Sequence, residues 1–202
     1  MNARAMSSSI KAVPAILALL LGLSSCGSEP PPEGVLEGSA LTGQFSLVDE
    51  NGQAVTQNSY DGKYRMVYFG YAYCPNICPF DTQRMMQGYR TFADAHPDLA
   101  ERVQPLFVTI DPERDTPAVL REYTANFGDE LIGLTGSQEQ VDRAAEAFSV
   151  FHSRGETTES GGYLMDHSNA GYLMGPRGEP ITLLPVDESG QAVADELETY
   201  VR

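Results

Sequence analysis

Tyr71-Ala72-Tyr73-Cys74-Pro75-Asn76-Ile77-Cys78-Pro79 is the stretch of the 202-residue chain that says most about its fold. Residues 66–71, just before the cysteines, form a continuous apolar run, the pattern of a strand buried on both faces. Residues 79–95, just after, read as a helix, with Met85, Tyr89 and Phe92 spaced to share one face. Both thiols therefore fall at a strand-to-helix turn. Free amides and the positive helix end favour thiolate over thiol at such a place. Cysteines four apart approach each other if the loop curls as a helical turn. Such a pair can close a disulfide or grip a soft metal ion; the plainer alternative is two buried cysteines acting as small hydrophobes.

Working outward, residues 45–48 followed by Asp49-Glu50-Asn51-Gly52 read as a strand and turn, with Asn-Gly a strong hairpin signal. Residues 103–110 form a second buried-strand pattern. Thr116-Pro117 sets a cap residue before a proline and opens a helix predicted to reach about Phe127. Further helices fit residues 137–148 and 192–201. Residues 163–165 and 172–174 are expected to pair as a hairpin around a loop at 168–171. Strand, helix, strand, helix, then a hairpin and a last helix is the βαβ plus ββα order of a thioredoxin-like fold. The predicted class is α/β, a central mixed sheet flanked by helices with an N-terminal hairpin extension.

The chain has room for one ordinary domain, and 42% hydrophobic with 20% charged residues describes a globular protein. Arg4 and Lys11 precede an apolar run from Ala12 to Leu23, too short to span a bilayer but suited to an export signal. It ends in Leu23-Ser24-Ser25-Cys26-Gly27, which resembles a bacterial lipobox and marks Cys26 as the lipid attachment residue. The Pro/Glu-rich stretch after it, with Pro30-Pro31-Pro32, reads as an extended spacer. The expected organisation is a signal over 1–25, a tether over 26–40 and one domain over 41–202. The domain would be lipid-anchored to a bacterial membrane and face the periplasm or cell exterior, where disulfides persist. Beyond residue 25 there are 11 basic and 28 acidic residues, a surface that repels nucleic acid and excludes it as a partner.

A dithiolate leaves copper short of ligands, and imidazole suits it as the next one. His96 sits at an expected exposed helix end and His152 in an ordinary strand. His167, in Met165-Asp166-His167-Ser168-Asn169, stands at the tip of the predicted late hairpin, where it could swing toward the thiols. Asp166 or Ser168 could then orient its ring. On spacing alone, a simple turn histidine is the better reading. Asp111 to Pro117 reads chiefly as a turn and helix start, with Asp111 or Asp115 as candidate supports beside a metal site. Helical spacing makes Met85 core, and neither it nor Met86 is taken as a ligand.

Three motifs lie in order along the chain. They are Tyr73-Cys74-Pro75-Asn76-Ile77-Cys78-Pro79, then Thr109-Ile110-Asp111-Pro112-Glu113-Arg114-Asp115-Thr116-Pro117, then Asp166-His167-Ser168 with Tyr172-Leu173 and Pro176-Arg177-Gly178. Together they resemble the SCO/SenC family of thioredoxin-fold copper proteins, over about residues 41–202. The resemblance implies Cys74, Cys78 and His167 as copper ligands. It also implies a role in assembling the CuA centre of cytochrome c oxidase. Asn76 departs from the pattern by standing where the family often carries an acid, as does Phe80, which comes before Asp81.

The expected function is therefore a copper metallochaperone, not an enzyme, holding Cu(I), with Cu(II) as a further state. Its partners would be a copper donor protein, oxidase subunit II or another copper acceptor, and a membrane through the lipid. The rival is a thiol–disulfide oxidoreductase cycling Cys74 and Cys78. The three-residue gap between the cysteines, and a histidine that a reductase does not need, speak for the chaperone. A thiol peroxidase is the weakest of the three, since nothing matches a peroxidase cysteine setting.

Overall fold

The computed structural model describes Met1, residues 31–157 and residues 161–202; the predicted leader and Cys26 lie outside them. Among the described residues no helix is long and apolar enough to cross a membrane. Residues 31–202 form one compact unit. Part of the stretch read as spacer belongs to this unit, because the Leu36 amide donates to the Ile181 carbonyl at 2.9 Å.

Two parallel strands anchor the molecule, the fully buried β3 (Tyr64–Gly70) and β4 (Val103–Thr109), buried except at half-buried Gln104, paired from Tyr64↔Val103 to Gly70↔Thr109. Before them come β1 (Ser46–Asp49) and β2 (Ala54–Thr56), the hairpin that Asn51-Gly52 announces. Two helices follow β3: α1 (Ile77–Ala95) and the short α2 (Pro97–Ala100). Next are α3 (Pro117–Thr124), β5 (Ile132–Thr135) and α4 (Gln138–Ala147). Thr116 caps α3 with Pro117 in its first turn, and Ser137 caps α4 in a capping box with Gln140. The chain closes with β6 (His152–Thr157), β7 (Tyr163–His167), β8 (Gly171–Met174), β9 (Pro180–Leu184) and α5 (Gly190–Tyr200).

The main sheet runs β2-β1-β5-β4-β3-β8-β9, parallel at its centre and antiparallel toward both edges. Helices flank it, as predicted. α1 and α5 pack closely because Gly88 is bare: a Cβ there would lie 2.5 Å from Val193 Cβ. Met85 and Met86 are both fully buried in this core.

The predicted late hairpin is corrected. β7 pairs with β6 in a separate two-stranded ribbon, and β8 pairs with β3 and β9 in the main sheet. Their burial shows why. β7 alternates between half-buried and exposed positions, the habit of a ribbon with one wet face, whereas all four residues of β8 are buried. The chain from Ser168 to Ala170 thus crosses from ribbon to main sheet, and His167 is the last ribbon residue before that crossing.

Candidate metal centre

The turn between β3 and α1 is built around Gly70. A Cβ at this position would lie 2.9 Å from the Tyr68 ring, 3.1 Å from Cys78 Sγ and 3.1 Å from the Phe107 ring. The bare backbone lets the second thiol lie directly over the strand end, where Cys78 is fully buried. Cys74 is half-exposed at the mouth of the turn. Its own amide donates to the Tyr71 carbonyl at 3.1 Å, and its sulfur accepts the Cys78 amide at 3.4 Å.

His167 arrives from the ribbon. Its Nε2 lies 3.5 Å from Cys78 Sγ, and its Nδ1 lies 2.9 Å from the Ser168 carbonyl. A carbonyl can only accept, so Nδ1 carries the proton and the Nε2 lone pair faces the thiols. Tyr71 braces the ring edge-on, with centroids 6.0 Å apart at 87°. The Tyr71 hydroxyl also accepts the Met165 amide at 3.3 Å, tying the turn to β7. Cys74 and His167 line one cleft of about 410 Å³ with Pro75, Met165 and Ser168.

The two thiols are electrostatically unlike. The hydrogen bond from Cys78 is the largest influence holding the Cys74 thiol down, to about 3. Burial opposes it, and the Cys78 and Asn76 amides add to it. Cys78 is pushed up, first by that same bond to Cys74 and then by burial. The pair thus holds one thiolate and one thiol. Beneath them the Tyr68 hydroxyl donates to the buried Asp81 at 3.0 Å, and burial raises the Asp81 carboxyl.

Cys74, Cys78 and His167, named from sequence, meet at this turn, His167 through the Cys78 sulfur and Cys74 through the Cys78 amide. Among the described residues no trio of His, Cys, Asp or Glu side chains, this one included, is already drawn in as a metal-holding group. Two soft sulfurs and a lone pair from three separately anchored residues nonetheless suit a soft ion.

Of the two residues expected to orient the imidazole, one does so. The Ser168 carbonyl, and not Asp166, holds the ring; the Asp166 carboxylate packs against Gly155 of β6. Asp111 pairs with Arg114 and accepts the Tyr163 hydroxyl at 2.8 Å, so it braces the ribbon and touches neither thiol. Asp115 is fully buried, accepting the Thr109 hydroxyl at 2.6 Å and the Ala72 amide at 2.9 Å, two residues before Cys74. His96 caps α1 beside Glu198, and His152 points to Asp142, so neither joins the site. Sequence reading passed over Gly70 and Tyr71 as supports. The only trace of them was their place immediately before the cysteines.

The SCO1/SenC family model matches residues 34–202. The mitochondrial SCO2 homolog of Mus musculus is 40% identical over 169 residues, covering 84% of this chain and 66% of that protein. The mitochondrial SCO1 homolog of Homo sapiens is 36% identical over 164 residues, covering 80% of this chain and 53% of that protein. The chain thus spans about half to two thirds of the length of these relatives. The crystal structure of Arabidopsis thaliana ScoI with copper bound superposes with a TM-score of 0.73 at 33% identity, covering 78% of this chain and 96% of that one. The location read from the leader is overturned here, because these relatives are mitochondrial proteins and point away from a lipid anchor in a bacterial membrane. With all three motifs in register, and a family match over most of its length, the chain belongs to the SCO1/SenC family.

Proposed function

We propose that this chain is a copper metallochaperone serving cytochrome c oxidase assembly, with Cys74, Cys78 and His167 as the ligands. One observation carries the reading. Two thiols from a strand-to-helix turn, and an imidazole from a separate ribbon, converge with the Nε2 lone pair 3.5 Å from the buried sulfur. The relatives' copper-bound structures support copper as the ion held. Cys74 is already a thiolate and offers its charge directly, while Cys78 gives up a proton as it ligates. His167 binds through Nε2 while Ser168 fixes its tautomer.

Half-exposed Cys74 is the ligand an incoming partner thiol can displace first, which suits stepwise delivery to an acceptor such as oxidase subunit II. A copper donor protein would load the same face. Cu(I) matches two sulfurs best, and the imidazole makes Cu(II) tolerable.

Copper titration of the reduced chain tests this, with each ligand replaced in turn. Cys74→Ser, Cys78→Ser and His167→Ala should each weaken binding by at least ~10-fold. Equal binding by oxidised and reduced protein would sink the reading. The pairing of a half-exposed thiolate with a buried thiol also favours thiol–disulfide exchange as a second activity. His167→Ala separates the two: it should fail to restore an oxidase-deficient strain if delivery is the task, and restore it if exchange is.

A further inference from the structure

Residues 111–117 touch neither thiol, yet they hold the most densely stacked side chain near the site. The Arg114 guanidinium lies 3.7 Å from the centroid of the Tyr163 ring, 5.2 Å from Tyr73 and 5.6 Å from Tyr71. Its Nε pairs with Asp111 and its Nη1 donates to the Tyr163 carbonyl at 2.8 Å. Its Nη2 is buried without a hydrogen-bond partner among the described residues. On the other side of Tyr163 sits Arg154, at 3.8 Å, itself paired with Glu113. The order is acid, arginine, tyrosine, arginine, acid.

Tyr71 and Tyr73 bracket the start of the cysteine turn, and Tyr163 begins the strand that ends in His167. Among the described residues Arg114 is the one cationic side chain that stacks on both. We propose that Arg114 is a positioning residue, clamping the His167 ribbon onto the cysteine turn and so holding the imidazole against the thiols. This rests on the copper-site reading above. The ribbon is a separate two-stranded sheet, and two strands alone are marginal in water. Something outside it must fix its angle to the main sheet. A planar guanidinium does so by stacking on faces while its edge bonds a carboxylate and a carbonyl; a lysine ammonium keeps the charge and loses the plane. The fixed angle reaches the imidazole by two routes: Tyr71, edge-on to its ring, and β7 itself, whose Met165 amide bonds the Tyr71 hydroxyl.

Arg114→Lys and Tyr163→Leu test the clamp, read three ways on the full chain. In the metal-free reduced protein, the His167 ring resonances should shift and broaden in both variants while the thermal midpoint moves little. Competition with a chromophoric chelator should show Cu(I) affinity down about 10- to 100-fold, the range of a disturbed ligand support. Adding either change to His167→Ala should cost almost nothing more, because the clamp acts through that ring. Unchanged His167 resonances, wild-type affinity in Arg114→Lys, or losses that add in full to those of His167→Ala would each overturn it. If His167→Ala binds copper as well as wild type, it is the copper-site reading that has failed, and the metal-free resonances still judge the clamp.

Discussion

Replacing Gly70 by alanine inserts one methyl group where the structure has no space for it. Its Cβ would meet the Tyr68 ring at 2.9 Å, and Cys78 Sγ and the Phe107 ring at 3.1 Å each, all on residues with no solvent exposure. Overpacking a core of this kind costs about 1–3 kcal/mol. Removing a glycine from a strand interior returns about 0.5–1 kcal/mol. At the centres of the two ranges the net loss is about 1 kcal/mol, which lowers the thermal midpoint of a domain this size by roughly 2–4 °C. The strain also has a direction: the sulfur must move away from β3, changing its approach to His167 Nε2. Gly70→Ala should therefore lose copper affinity as well as stability, whereas a core truncation remote from the turn should lose stability alone. Urea unfolding of the reduced chain beside a copper titration measures both. A variant as stable as wild type, with unchanged copper affinity, would refute the packing argument.

Two further predictions concern charge. Because Cys74 is held down to about 3 by its bond from Cys78, its alkylation by iodoacetamide should fall off little between pH 8 and pH 5. Peptide mapping should find buried Cys78 spared, and a rate at Cys74 falling tenfold per pH unit below 8 would contradict it. Burial raises Asp115 to about 6, above its unfolded value near 3.9, so the folded state binds this proton more tightly. Its contribution is fully present below about pH 4 and is lost as pH rises through about 6. Wild type should thus gain stability relative to Asp115→Asn as pH falls from 7 to 5, and a constant difference across that range would count against it.

The frame was legible because buried parallel strands announce themselves. Residues 66–71 and 103–110 had to be central, and the cysteines had to fall at the turn between the first of them and a helix. The late region misled because spacing alone cannot say which strand a run will pair with. Residues 163–165 and 172–174 sit at a plausible hairpin distance, yet one alternates and the other is buried throughout, so they joined different sheets. His167 was found by the resemblance of its motif and not by its position, and of the two neighbours read as its supports Ser168 holds the ring, through its carbonyl and not its side chain. A backbone oxygen leaves no sequence signal. Arg114 was hidden for another reason: its partners Tyr71, Tyr73 and Tyr163 lie up to 49 residues away, and only the fold brings them to one guanidinium.

X-ray absorption at the copper edge of the reduced, copper-loaded chain tests the central claim most directly. Two sulfurs and one imidazole nitrogen should surround the ion, and the nitrogen shell should disappear in His167→Ala. A shell made only of sulfur, or one identical in wild type and His167→Ala, would contradict the assignment of Cys74, Cys78 and His167.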